Sequence, residues 1–109
     1  MNPDVVFLYA TAPDSAAARR IAEELVGRRA AACVNIIAGM SSVYRWRDAV
    51  ESADELVLII KCARSSAQRA REIIRELHPH ETPAIAAIAI DSENSSGQFL
   101  RWVAENSRP

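Results

Sequence analysis

Two apolar arms constrain this chain more than any other feature. The first, Ala31-Ala32-Cys33-Val34-Asn35-Ile36-Ile37, continues past Gly39 into Ser42-Val43-Tyr44-Arg45-Trp46-Arg47. It is rich in the β-branched and aromatic residues that suit a pleated surface. The second, Glu55-Leu56-Val57-Leu58-Ile59-Ile60-Lys61, is apolar between two charged ends, the pattern of a strand covered on both faces. Together they predict one long β-hairpin over residues 31–61. An arm of residues 31–47 extends roughly 50 Å at about 3.3 Å per residue, whereas a domain of this size has a radius of gyration of about 13 Å. The tip therefore folds back or leaves the body. If it leaves, it takes Val43, Tyr44, Trp46 and bare strand edges with it, and soluble proteins keep such edges covered. A neighbouring copy is the simplest cover. When each copy offers its hairpin to the next, the head-to-tail contact stays finite only as a closed ring, so a cyclic homo-oligomer is expected. The periodicity alone does not choose the number of copies.

The rest of the chain supplies the elements around that hairpin. Val5-Val6-Phe7-Leu8-Tyr9 reads as a first strand, ending at Thr11-Ala12-Pro13-Asp14. Asp14 or Ser15 can cap a helix whose Ala18, Ile21, Ala22 and Leu25 recur at helical spacing, with Gly27 taking the left-handed turn at its end. After Lys61, Ser65 or Ser66 is placed to cap a second helix, with Ala70, Ile73, Ile74 and Leu77 on one face. His78 leaves that helix because Pro79 follows, and Pro83 holds Thr82 extended. Ala84-Ile85-Ala86-Ala87-Ile88-Ala89-Ile90 reads as another strand. Ser95 can cap a last helix with Phe99, Trp102 and Val103 inward, and residues 106–109 are expected to fray. The order β-α-β-β-α-β plus a terminal helix predicts an α+β, ferredoxin-like split βαββαβ antiparallel sheet with its helices on one face. The opposite face needs cover, which another copy's sheet would provide.

At 109 residues the chain is expected to form one domain, residues 1–109, with a core that needs no metal or disulfide to fold. A formal charge of -1 leaves no electrostatic footprint for nucleic acid or an anionic membrane. No apolar run reaches the ~18 residues of a membrane span, and the start does not read as a signal peptide. The expected compartment is cytoplasmic, with Cys33 and Cys62 as free thiols.

Candidate ligating residues cluster in two places. His78 and His80, two apart in extended backbone, face one side and suit copper, zinc or nickel. They serve either as metal contacts or as hydrogen-bonding loop residues. Cys33 is a core-filling thiol or a soft-metal ligand. Glu81 and Lys61 either converge with a histidine at a subunit boundary to bind a small ion or form an ordinary ion pair. Tyr44 and Trp46 share one strand face and Arg45 and Arg47 the other, the aromatics serving as interface anchors or lining a ligand cleft. No nucleophile beside a base, G-x-S-x-G turn, P-loop or G-x-G-x-x-G occurs, so the chain reads as non-enzymatic.

Five blocks in this order, Thr11-Ala12-Pro13-Asp14, Ala31 to Ile37, Ser42-Val43-Tyr44-Arg45-Trp46, Leu58-Ile59-Ile60-Lys61 and His78-Pro79-His80-Glu81-Thr82-Pro83, make the chain resemble the CutA family of divalent-cation tolerance proteins. The resemblance implies a ferredoxin-like subunit, a homotrimer like that of the PII signalling proteins, and a role in tolerance of copper and other divalent metals. It implies copper contact at His78, with His80 or Cys33 assisting. The competing class is a PII-like sensor or adaptor, with a small anionic ligand in an intersubunit cleft near Lys61, His78, Glu81, Trp46 and Tyr44. The chain departs from the family in having Ala10 where some members carry a cysteine, Leu77 where some carry a second histidine before the proline, and His80 in place of the usual tyrosine.

Overall fold

A computed structural model describes residues 2–109. Its elements are β1 (Val5–Ala12), α1 (Ser15–Gly27), β2 (Cys33–Trp46), β3 (Ala49–Ala63), a 3-10 turn (Arg64–Ser66), α2 (Ala67–Leu77), β4 (Ile85–Ala89) and α3 (Gly97–Asn106). The strands form one four-stranded sheet in the order β2-β3-β1-β4, every neighbouring pair antiparallel. This is the split βαββαβ arrangement expected from the element order.

Successive side chains of a strand point to opposite faces, and the sheet divides accordingly. Val6, Leu8, Ala10 and Ala12 of β1 and Leu58, Ile60 and Cys62 of β3 are buried under α1 and α2, against Ala18, Ile21, Leu25, Ala70, Ile73 and Ile74. Burying each of the larger of these side chains contributes roughly 1.5–3 kcal/mol. The alternate residues form the other face. There Cys33, Lys61, Phe7 and Ile88 stand in one row across all four strands, with Asn35, Ile59, Tyr9 and Ala86 in the next. The expectation of helices on one face holds for α1 and α2 but not for α3. That helix sets Leu100 and Val103 against Val5 and Ala32, covering only one end of the second face.

Several local readings are corrected. Gly27 remains helical, and the left-handed residue is Arg29, at φ 58°. Its guanidinium reaches the carbonyls of Glu105 and Arg108 at 2.6 and 2.7 Å, and these bonds hold the backbone in a region that otherwise favours glycine. Ser66 makes no side-chain cap and instead donates to the Ser107 carbonyl. The cap of α3 is Ser96, whose hydroxyl accepts from the Phe99 amide, while Ser95 bonds Asp91. Phe99 and Trp102 do not face inward. They stack on one another at 6.1 Å on the exposed side of α3, because Leu100 and Val103 occupy the position over the sheet. Nor does the end of the chain fray at Ser107, which is fully buried and accepts from the Ala63 amide at 2.8 Å.

The long hairpin is present. β1 stops pairing at Ala12, opposite Leu56, so residues 40–55 continue as a two-stranded ribbon beyond the sheet. The molecule measures 47 × 27 × 22 Å, with a radius of gyration of 14.5 Å. The ladder shifts between Ile37 and Met40, where Ala38 and Gly39 oppose the single residue Leu56. Gly39, at φ 84°, supplies the left-handed residue that such a bulge uses. At the tip, Arg47 and Asp48 both have positive φ between the paired Trp46 and Ala49, which makes a two-residue type I′ turn.

Candidate functional site

The candidate residues lie in three separate places. The first is the row across the open sheet face. Lys61 is only 8% exposed. Its ammonium donates to the Asn35 side-chain carbonyl, approaches Cys33 Sγ at 3.5 Å and lies 5.6 Å from the centre of the Phe7 ring. None of the three neighbours is a carboxylate. Among the described residues no carboxylate pairs with Lys61; the ion pairs are Arg19–Glu23, Arg28–Glu24, Arg28–Glu76 and Arg64–Asp4. Of the two readings of Lys61 and Glu81, the ordinary ion pair is not made within the chain, and Glu81 is exposed.

The second place is the end of α2. His78 is 8% exposed, with Nε2 2.8 Å from the Thr11 carbonyl and Nδ1 3.0 Å from the His80 amide nitrogen. A carbonyl can only accept and an amide N–H can only donate. The imidazole is thus neutral with its hydrogen on Nε2, and neither nitrogen keeps a lone pair free for a metal. His78 clamps the end of α2 to the end of β1. His80 lies with its ring 5.0 Å from that of His78, tilted by 55°, and is exposed.

The third place is the hairpin tip. The bulge at Ala38 and Gly39 changes which residues face which way: by register Met40, Ser42, Tyr44 and Trp46 fall on the same side of the ladder as Ile37, Asn35 and Cys33. The 3.7 Å contact of the Tyr9 hydroxyl with Met40 Sδ confirms the phase. Arg47 is not on the strand face opposite Trp46. It turns at the tip and lies 5.5 Å from the centre of the Trp46 ring, a cation–π contact. Val43 and Trp46 are 74% and 56% exposed.

The expected convergence of a lysine, a histidine and a carboxylate does not occur within one chain. β3 delivers Lys61 opposite Phe7, near the start of β1, and α2 then carries the chain back to Thr11 at its other end. Phe7 and Thr11 are four residues apart, roughly 13 Å, and Cys33 lies two strands away from β1. The candidate metal set of His78, His80 and Cys33 is likewise divided. Among the described residues no group of three or more His, Cys, Asp or Glu side chains could hold a metal ion, so the residues of one chain do not fit a closed copper site. Asn35 and Phe7 were not foreseen as site residues. The available signal was a polar residue breaking an apolar strand two positions after Cys33.

The profile of the CutA1 divalent ion tolerance protein family matches residues 6–106. The chain belongs to this family. It is 39% identical over 97 residues to the divalent-cation tolerance protein CutA of Thermus thermophilus, covering 89% of this chain and 92% of that one. It is 35% identical to the Xenopus laevis CutA homolog over 89% of this chain, which spans 63% of that protein's length. The solved Thermus thermophilus structure superposes with a TM-score of 0.91 at 36% identity, over 95% of this chain and 99% of that one. The PII-like CutA protein of Nostoc sp. PCC 7120, in apo form, superposes with a TM-score of 0.88 at 29% identity, over 94% and 97%. On this CutA scaffold the His78-Pro79-His80-Glu81 segment acts first as a clamp, and the lysine ending the apolar strand is turned towards the open face.

Proposed function

We propose that the chain acts as a cytoplasmic homotrimer without enzymatic activity in the tolerance of divalent cations, copper among them, and that its binding sites form between copies. The observation that supports this best is the ribbon of residues 40–55. It projects Val43, Tyr44, Trp46 and Val50 into solvent, all of them exposed, beside a sheet face that α3 covers at one end only. An isolated monomer gains nothing from such an arm, whereas a ring of copies buries it. The two unpaired thiols, Cys33 and Cys62, agree with a reducing compartment.

Copper contact is weak and passes through the exposed His80, with Glu81 next to it, because both nitrogens of the neighbouring His78 are already bonded. Calorimetric titration of copper(II) into the purified protein tests this reading. Saturable heat that is lost in His80→Ala supports it, and no saturable heat in the parent protein overturns it. A second reading is favoured by the uncompensated charge of Lys61. In it the trimer is a PII-like sensor or adaptor whose intersubunit cleft takes a small anion, and a partner protein responds to its occupancy.

A further inference from the structure

We propose that Lys61 is an oxyanion site: its buried ammonium takes a carboxylate or phosphate-type oxygen on the open sheet face, in a cavity that a second copy closes. The inference rests on the ring assembly proposed above and names the chemistry of its ligand. Lys61 is 8% exposed, yet its neighbours are an amide oxygen, a thiol and an aromatic face. A buried charge is tolerated when it is paired or fully hydrogen-bonded. Two of the three ammonium hydrogens have partners here, and among the described residues no carboxylate pairs with the ammonium. On the face itself Ile88, in the same row as Lys61 across Phe7, is exposed. Covering that face with a sister copy removes the remaining water and strengthens the attraction for a negative oxygen. Asn35 and Cys33 of β2 and the Phe7 ring of β1 flank the ammonium on its two sides, so an anion approaches it from above the sheet. His78 is not part of the site, since it lies at the opposite end of β1.

The oxyanion comes from solution as a small ligand or from a carboxylate side chain of the covering copy. Thermal unfolding and sedimentation of the full chain and of Lys61→Met, in sodium phosphate and in sodium chloride at matched ionic strength, separate these sources. A free-ligand site raises the wild-type melting temperature in phosphate over chloride by roughly 3 °C or more beyond the rise in Lys61→Met, growing with concentration. The comparison with the variant removes the general salting effect of phosphate. A neighbour's carboxylate gives the same phosphate rise in wild type and variant. Instead it makes Lys61→Met trimers dissociate about tenfold more readily, and it makes wild-type assembly weaken at acid pH through the carboxylate range while the variant loses that pH dependence. If the wild type sediments as a trimer and Lys61→Met matches it in phosphate response, dissociation and pH profile, the oxyanion site is wrong. If the wild type sediments as a monomer, the assembly reading fails instead.

Discussion

Burial and hydrogen bonding at His78 are enough to explain its position without any ligand. Replacing it with alanine strands the Thr11 carbonyl and the His80 amide, so His78→Ala should lower unfolding stability by about 1–3 kcal/mol. His80→Ala should stay within about 0.5 kcal/mol, and urea denaturation of the two variants checks the contrast. Cys62 gives a second prediction at this scale. It is fully buried under α2, and burial pushes its thiol up to about 11 from an ordinary 9.0. The raised folded value means the stabilisation is complete below pH 9, where both states keep the proton. It is lost as pH rises towards 11, because the unfolded chain ionises first and is favoured. Roughly 2–3 kcal/mol should disappear over that window. Cys62→Ala should remove that part of the pH dependence in denaturation midpoints measured from pH 8 to 11. The sequence placed His78 at a helix end next to a proline, but its acceptor, Thr11, is distant in the chain, so local pattern could not distinguish a clamp from a ligand. Lys61 was legible as a charge ending an apolar strand; that no carboxylate would be among its neighbours depended on the register of three strands.

The hairpin could be read from the sequence because its composition and length are extreme. Its inner geometry could not be read in the same way. One extra residue at Ala38 and Gly39 reverses the facing of everything beyond it, and a lone glycine does not announce how many residues oppose its partner. α3 shows the same limit: Phe99 and Trp102 sit one residue out of phase with Leu100 and Val103, and only contact with Val5 and Ala32 decides which pair is inward. The type I′ tip turn carries two non-glycine residues at positive φ, Arg47 and Asp48. The double variant Arg47→Asn, Asp48→Gly supplies the residues that this turn prefers and should stabilise the protein by about 1 kcal/mol, seen as a higher melting temperature. Unchanged or lower stability would mean that the Arg47–Trp46 contact matters more than turn strain.

In the proposed ring, the ribbon, the open face and the buried lysine each take their remaining cover from another copy. Among the described residues the outer edges of β2 and β4 have no strand beside them, and Val43 and Trp46 at the tip are exposed. Trp46 is large and exposed at the tip, and in the proposed ring it serves as the interface anchor. Trp46→Ala should cost the assembly about 2 kcal/mol per contact, close to a thirtyfold loss in association, while leaving the subunit core under α1 and α2 intact by circular dichroism. Whether the chain assembles into the proposed closed ring is decided by sedimentation equilibrium at low micromolar concentration. A closed trimer sediments as a single species of three times the 12.0 kDa chain mass, and a stable, folded 12.0 kDa monomer under the same conditions rules the ring out.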